Sequence, residues 1–221
     1  MQIKQRHDWN LTTSEAKVIQ EELQKEVITE DKFKQPVKYV AGVDMGFEDN
    51  GKTSRAAVAV LSFPDLQLQE QSIAKLPTSF PYIPGFLSFR EIPAVLEALQ
   101  KINKIPDLIL CDGQGIAHPR RMGIASHLGV IIDMPTIGVA KSWLIGDYKE
   151  VPQEKGSWQP LIHKNETIGA VLRTRTNVKP VYISSGHRIS LPTAIDYVVR
   201  CTPKYRLPET TRIADKLASN R

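Results

Sequence analysis

The sequence has only two cysteines, and it has no run of apolar residues long enough for a membrane span. Cys111 and Cys201 show no metal-type spacing, which excludes the cysteine-rich metal-binding classes, and we do not expect a structural disulfide. Cys111 lies inside an apolar segment and is predicted to be a small buried side chain. No signal peptide is visible, so we expect a cytoplasmic protein that does not associate with membranes.

The charge balance has no strong excess of one sign. Lys and Arg number 29 and Asp and Glu number 24, which gives a net charge of +5 at pH 7 and a pI of about 9.1. This modest positive charge favours polyanionic partners, because phosphate contacts by Lys and Arg dominate nucleic-acid affinity. A chain of 221 residues can bury a core, and no repeat or linker divides it. We expect one domain over residues 1–221, acting as a monomer.

Periodic apolar positions predict strands and helices in alternation along the chain. Three strands joined by short turns, at 38–47, 55–63 and 66–73, predict an antiparallel meander. A later strand at 107–112, reached through a helix, is predicted to run parallel to a meander strand. The other predicted elements are helices at 12–29, from about 88, and at 121–130, 192–200 and 208–219, strands at 136–140, 168–175 and 179–184, and a polar, turn-rich segment at 147–166.

Two aspartates are predicted to end apolar strands. Asp44 comes near the end of the first strand, and Asp112 directly follows Leu108–Cys111. If the two strands are parallel neighbours, the carboxylates lie about 5 Å apart. Carboxylates that close repel unless a cation lies between them, and oxygen ligands suit Mg²⁺ or Mn²⁺. The sequence therefore predicts an α/β fold of the ribonuclease H-like type, with a mixed central sheet in which the meander is followed by parallel strands and helices cover both faces.

Glu91 is the candidate third metal ligand, and it has a competing interpretation. Ser88 and Glu91 match a capping box, which by itself would explain a glutamate at this position. The same pattern at Thr12 and Glu15 predicts the start of the first helix. A capping glutamate folds back onto its own backbone, so Glu91 is not expected to fill both roles.

Several segments resemble the endonuclease V family of deoxyinosine endonucleases, in the same order along the chain. The most specific are Asp112-Gly-Gln-Gly-Ile-Ala-His-Pro119 and Pro81-Tyr-Ile-Pro-Gly85. The others are Val43-Asp44, Gly138–Ser142, Ser185–Arg188 and Tyr205–Glu209. The resemblance implies an enzyme that cuts the second phosphodiester bond 3′ to a deaminated purine, leaving a 3′-hydroxyl and a 5′-phosphate. The implied partner is damaged DNA, single- or double-stranded.

The resemblance also implies roles for individual residues. Asp44, Glu91 and Asp112 match metal ligands for Mg²⁺, with Mn²⁺ as a substitute, and His118 and Lys141 match residues beside the scissile phosphate. Asp215 falls where some members place a further metal-proximal side chain, although an exposed helix carboxylate explains it equally well. The base pocket is implied near Gly85, Leu87, Gly113, Gly123 and Ile124, and the loop Tyr82, Ile83, Pro84 and Gly85 matches the wedge that enters the DNA.

Other basic residues near these motifs are candidate phosphate contacts, namely Arg120, Lys141 and His187. Trp143 departs from the family pattern, in which a smaller aliphatic residue is expected. Two other functions remain open at this point: an endoribonuclease of the same fold that prefers inosine in RNA, and a non-catalytic module that binds the lesion. The intact set of three acids counts against the second.

Overall fold

The computed structural model describes residue 3 and residues 5–219, and its centre is one mixed sheet of eight strands. The strands are β1 (Tyr39–Glu48), β2 (Thr53–Ser62), β3 (Leu68–Pro77), β4 (Leu108–Cys111), β5 (Thr136–Ala140), β6 (Trp158–His163), β7 (Glu166–Leu172) and β8 (Val181–His187). The helices are α1 (Thr13–Leu23), α2 (Leu87–Gln100), α3 (Ile124–Ile132), α4 (Leu191–Arg200) and α5 (Glu209–Ala218), with 3₁₀ turns at Gln24–Glu26 and Asp49–Gly51.

The strand order is β3-β2-β1-β4-β5-β8-β7-β6. Strands β1 to β3 form an antiparallel meander, β1, β4 and β5 run parallel, and β8 returns antiparallel to β5. The predicted mixed sheet is therefore confirmed. The absence of a strand from 147–166 was a wrong prediction, because β6 lies there. It lies at the edge of the sheet beside β7, with one further bridge from Ile162 to Asp147, and it buries a single apolar side chain, Leu161, so its apolar alternation is weak.

Helices cover both faces of the sheet, as predicted. On β4, Ile109 and Cys111 face α2 and α3, whereas Leu108 and Leu110 face α4 and α5. This division follows from the two-residue period of a strand, because every side chain of a central strand is buried on one face or the other. Helix α5 lies directly on β1, and a Cβ atom at Gly42 would stand only 2.2 Å from the carbonyl carbon of Thr210.

The position of Asp44 corrects the prediction that it ends a strand. Strand β1 continues to Glu48, because β2 pairs with it as far as Glu48 opposite Thr53. Its pairing with β4, however, ends at Val43 opposite Cys111. Asp44 and Asp112 therefore directly follow the last paired residues of β1 and β4, at the point where β4 ends and β1 continues.

The start of α2 corrects the predicted capping box. The helix begins at Leu87, with Phe86 as its N-cap and no side-chain capping bond. Ser88 lies within the first turn, and its hydroxyl bonds Nδ1 of His127 at 2.9 Å. The side chain of Glu91 is therefore not used for capping. By contrast, the predicted capping box of α1 is confirmed, with Thr12 and Glu15 in reciprocal hydrogen bonds.

Both cysteines are free and buried, which confirms the prediction of a buried side chain for Cys111. Within the part of the chain that the structure describes, no helix combines the length and the apolar character required to cross a bilayer.

Candidate active site

A cavity of about 410 Å³ opens beyond the carboxyl ends of β4 and β5. It brings together most of the residues predicted from the sequence: Asp44, Tyr82, Pro84, Gly85, Leu87, Glu91, Asp112, Gly113, His118, Gly123, Ile124 and Lys141. Four predicted residues, Ile83, Arg120, His187 and Asp215, do not line it. Ligands commonly bind at the carboxyl ends of parallel strands, because loops from neighbouring strands meet there.

The carboxyl groups of Asp44 and Asp112 lie side by side at the bottom of this cavity. The backbone N–H of Asp112 donates to the carbonyl of Val43 at 3.3 Å, which fixes the two residues side by side. Burial and the charge of Asp112 raise the pKa of Asp44 to about 8. Burial also raises the pKa of Asp112. Two carboxyl groups held together in this way repel each other when both are ionised.

Glu91 reaches the same cavity from the first turns of α2. Burial, together with the charge of Asp112, raises its pKa to about 8. The helix positions it well, because Ile92, Val95 and Leu99 pack against the sheet and leave Glu91 at the side facing β4. The three acids therefore share one electrostatic environment, in which a positive charge would stabilise their ionised forms.

Lys141 supplies one positive charge to that environment. Its ammonium group contacts a carboxylate oxygen of Asp112 and lies 3.4 Å from Oδ1 of Asp215. Burial alone would lower the pKa of Lys141, but the hydrogen bond and charge of Asp112 leave it raised. Asp215, on α5, lies outside the cavity in a neighbouring groove with Met45 and Glu48, where it contacts Lys141, and its charge contributes to the raised pKa values of Asp44 and Asp112.

The donor set fits a divalent cation that prefers oxygen ligands. Asp44, Asp112 and Glu91 offer only carboxylate oxygens. Burial raises the pKa of all three, and the charge of Asp112 adds to this at Asp44 and Glu91, so a cation among them would stabilise their ionised forms. The side chains are not a ready-made cage: among the described residues, no group of three or more His, Cys, Asp or Glu is arranged closely enough to enclose an ion. Such a partial set suits Mg²⁺, which keeps several waters and completes its shell with substrate phosphate oxygens.

A proline-rich loop forms the opposite wall of the cavity. Tyr82 is 68% exposed at its rim, whereas Ile83 packs under the loop with Phe80 and Phe89. Gly85 has a φ of +81°, which favours glycine, and its carbonyl oxygen points back into the protein. The loop thus presents an aromatic ring outward while its apolar side anchors it.

His118 and Arg120 hold this loop rather than reaching into open solvent. Nδ1 of His118 accepts the backbone N–H of Arg120 at 3.2 Å, so we assign the proton to Nε2, which lies 3.2 Å from the Gly85 carbonyl. Burial, and secondarily the charge of Arg120, lowers the pKa of His118 to about 4, so the ring is neutral at pH 7. The Arg120 guanidinium also bonds the Gly85 carbonyl, at 2.7 Å, and stacks 4.3 Å from the Phe86 ring centre.

His187 does not join the other candidates, and its position does not support the predicted phosphate contact. It is 4% exposed, accepts the backbone N–H of Ile28 at Nδ1, and places Nε2 3.5 Å from Asp133. These partners lie at the far end of α3 from the cavity, because Asp133 is the C-cap of that helix. Its role is to join α3 to the segment that follows α1.

The cavity also contains residues that we did not predict from the sequence. Gln20 of α1 lines it although that helix showed no chemistry, and Trp143 and Leu144 form the wall beyond Lys141. Trp143 is 54% exposed, and its indole N–H donates to the Gly146 carbonyl at 2.7 Å. The sequence already showed that Trp143 departs from the family pattern. For Gln20 the available signal was weaker, namely a glutamine on the buried face of an amphipathic helix.

The sequence and the fold both match known proteins that share one family name. The model of the family described as Endonuclease V matches residues 21–216. An Endonuclease V of Trichormus variabilis is 76% identical over 221 residues, covering 100% of both chains. A crystal structure of an Endonuclease V from Streptomyces avermitilis superposes with a TM-score of 0.91 at 43% identity, covering 99% of this chain and 96% of that one. An Endonuclease V of Ciona intestinalis, solved with a 24mer DNA containing an inosine followed by a ribo-adenosine, gives a TM-score of 0.82 at 35% identity, with 93% and 95% of the chains covered.

Proposed function

Because this chain belongs to the endonuclease V family, we propose that it recognises deoxyinosine in DNA and hydrolyses the second phosphodiester bond on the 3′ side of the lesion. The products are a 3′-hydroxyl and a 5′-phosphate. The observation that carries this proposal is the cavity itself, in which Asp44, Glu91 and Asp112 stand beside a glycine-lined pocket. We further propose that residues 1–221 act as one catalytic domain, supported by the single continuous sheet.

The three acids would hold the catalytic divalent ion, for which we propose Mg²⁺ with Mn²⁺ as a substitute. Such an ion, when bound, activates water and neutralises charge on the phosphate. Asp44 and Asp112 hold their oxygens at adjacent register positions, and Glu91 adds an oxygen from α2. Lys141 keeps its proton through its contact with Asp112, and it therefore offers a fixed positive charge to the phosphate at the same edge.

The pocket next to these acids suits an unstacked base. Its walls include Gly85, Gly113 and Gly123, and the backbone there can come within hydrogen-bond distance of a base edge. Leu87 and Ile124 supply apolar contact for the base faces. Tyr82, exposed at the rim, would stack in the gap that the displaced base leaves in the DNA.

His118 and Arg120 act in this proposal by positioning, not by proton transfer or phosphate contact. Both ring nitrogens of His118 are engaged by backbone groups, and the pKa lowered to about 4 keeps the ring neutral. Arg120 is committed to Gln20, the Gly85 carbonyl and the Phe86 ring. Together they hold the loop that carries Tyr82 against the pocket.

The deciding experiment is cleavage of a labelled duplex with one hypoxanthine in the presence of Mg²⁺. The wild-type protein should nick only the strand that carries the lesion. The cut should fall after the first nucleotide on the 3′ side of hypoxanthine. Asp112→Asn should abolish the nick while binding is retained or strengthened, because one of the repelling charges is lost. Asp196→Asn, an exposed aspartate on α4, is the matched control and should cut normally. A folded wild-type sample that leaves the duplex intact would refute the proposal.

RNA is the second candidate substrate, because the Ciona intestinalis relative was solved with a ribo-adenosine directly after the inosine. Cleavage rates on matched single-stranded DNA and RNA of the same sequence separate the two candidates. A faster rate on RNA would assign this chain to inosine-containing RNA instead of DNA.

A further inference from the structure

We infer that Gln20, on the N-terminal helix α1, is a specificity-determining positioning residue that fixes the width of the base pocket. This inference rests on the proposed function, since it assigns the pocket to the displaced base. Gln20 lies just outside the region 21–216 that matches the family model. Its side chain is 1% exposed and lines the cavity.

The amide of Gln20 joins the two walls of the pocket. Its Nε2 donates to the Gly85 carbonyl at 3.0 Å and to the Met122 carbonyl at 3.2 Å. Gly85 belongs to the loop that leads into Leu87, and Met122 directly precedes Gly123 and the start of α3. One amide group therefore links two backbone segments that are remote in sequence.

A network of hydrogen bonds holds the Gln20 amide in this orientation. Its Oε1 accepts from Nε of Arg120 at 2.5 Å, so its Nε2 must face the two carbonyls. The Gly85 carbonyl accepts two further donors, Nη2 of Arg120 at 2.7 Å and Nε2 of His118 at 3.2 Å. Buried polar groups with all partners in place are rigid and costly to disrupt, so the pocket edge at Gly85 has one defined position.

The residues on either side of Gln20 pack on the same two walls. Ala16, one turn earlier on α1, belongs to the apolar cluster of Phe80 and Phe86 under the Tyr82 loop. Leu23, one turn later, packs with Met122 and Val130 below the other wall. Helix α1 therefore lies behind the pocket and contacts both walls. Ala16 and Leu23 make the apolar contacts, and Gln20 makes the polar contact between them.

The separation of these walls determines which bases fit. The pocket reads its base through backbone groups at glycine positions, and these groups have no side-chain flexibility with which to adjust. A shift of either wall therefore changes hydrogen-bond geometry to the base directly. Loss of Gln20 should weaken recognition of the base while contacts to the phosphates and to the rest of the strand remain.

The test measures binding of two fluorescein-labelled single-stranded oligonucleotides in the presence of a metal chelator. One carries deoxyinosine, and the other carries a tetrahydrofuran abasic analogue at the same position. The ratio of the two Kd values reports the contribution of the base alone. Partial unfolding of a variant lowers both affinities equally, so a merely structural effect leaves the ratio unchanged.

In Gln20→Met, which keeps the volume but removes both donors and the acceptor, the preference for deoxyinosine should fall by about tenfold, the effect of losing two buried hydrogen bonds. Binding of the abasic oligonucleotide should not change. Gln20→Glu, which retains the acceptor for Arg120 but cannot donate to Gly85 or Met122, decides the question if the methionine variant does not fold. Glu22→Ala, exposed on the same helix, is the control and should retain the wild-type ratio.

A wild-type ratio retained in folded Gln20→Met, or in folded Gln20→Glu where the methionine variant fails to fold, would overturn this inference and leave the proposed function intact. A wild-type protein that shows no preference for deoxyinosine would instead refute the proposed function, and the inference with it.

Discussion

Replacing Glu91 by Gln should stabilise the metal-free protein at neutral pH while removing its activity. The carboxyl of Glu91 faces Asp112 in a half-buried position, and burial with that charge raises its pKa to about 8 from an ordinary 4.5. A carboxyl with a raised pKa binds its proton more tightly in the folded chain than in the unfolded one. The free energy of unfolding is therefore highest below pH 4.5 and falls as the pH rises towards 8.

The size of this stabilisation follows from the shift in the pKa of Glu91. Between pH 4.5 and pH 7.5 the contribution of Glu91 lowers the free energy of unfolding of the wild-type protein by about 1.36 kcal/mol per pH unit, or about 4 kcal/mol as an upper bound for this residue. Water in the cavity screens part of the repulsion, so we expect a gain of about 2 kcal/mol for Glu91→Gln at pH 7.5. That gain corresponds to a rise in Tm of about 4–8 °C for a domain of this size.

The assay is thermal unfolding of both proteins in chelator from pH 4.5 to pH 8. The two Tm values should meet near pH 4.5 and diverge as the pH rises. Added Mg²⁺ should then raise the Tm of the wild-type protein and have a smaller effect on the glutamine variant. Glu97→Gln, on the exposed side of α2, should show no such divergence. A glutamine variant that is less stable at pH 7.5, or a difference that does not depend on pH, would refute this account of the acid cluster.

Four further substitutions test other parts of the structure. If the exposed ring of Trp143 on the cavity wall stacks on a base of the bound strand, Trp143→Ala should raise the Kd for a deoxyinosine oligonucleotide about tenfold in an anisotropy titration; an unchanged Kd would show that the ring does not contact the strand. Gly42→Ala should lower the free energy of unfolding by at least about 2 kcal/mol in urea, since its Cβ would meet the backbone of Thr210 at 2.2 Å. Arg173→Met should destabilise by about 3 kcal/mol, because three backbone carbonyls would lose a buried guanidinium. Ser88→Ala should lower the free energy of unfolding in urea by about 1–3 kcal/mol, because Nδ1 of buried His127 loses its hydrogen-bond partner.

The sequence was sufficient for most of the fold because the signals are local or periodic. The capping box of Thr12 and Glu15 acts within one helical turn, and it predicted the start of α1 correctly. The apolar run before Asp112 predicted β4 because a strand buried on both faces has no polar positions. Strand β6 was missed for the opposite reason, since an edge strand buries few residues and resembles a polar loop.

The acids of the site were also identifiable from the sequence, but their arrangement depended on strand pairing. The apolar pattern predicts that a strand ends at Asp44, whereas β1 continues past this residue through its pairing with β2. Ser88 and Glu91 matched a capping box that the helix does not use, since Ser88 bonds His127 on another helix. In both cases a partner distant in sequence outweighed the local pattern.

The sequence alone indicated the candidate chemical groups: the ends of apolar strands pointed to Asp44 and Asp112, the expected fold pointed to Glu91, and the resemblance to the family implied the glycines and Lys141. Tertiary structure alone decided which of the other polar side chains belong to the site. It brought in Gln20, whose two acceptors lie 65 and 102 residues away, and it left His187 outside. The physical reason is that a hydrogen bond depends on position in space, and folding brings together groups whose separation in sequence carries no signal.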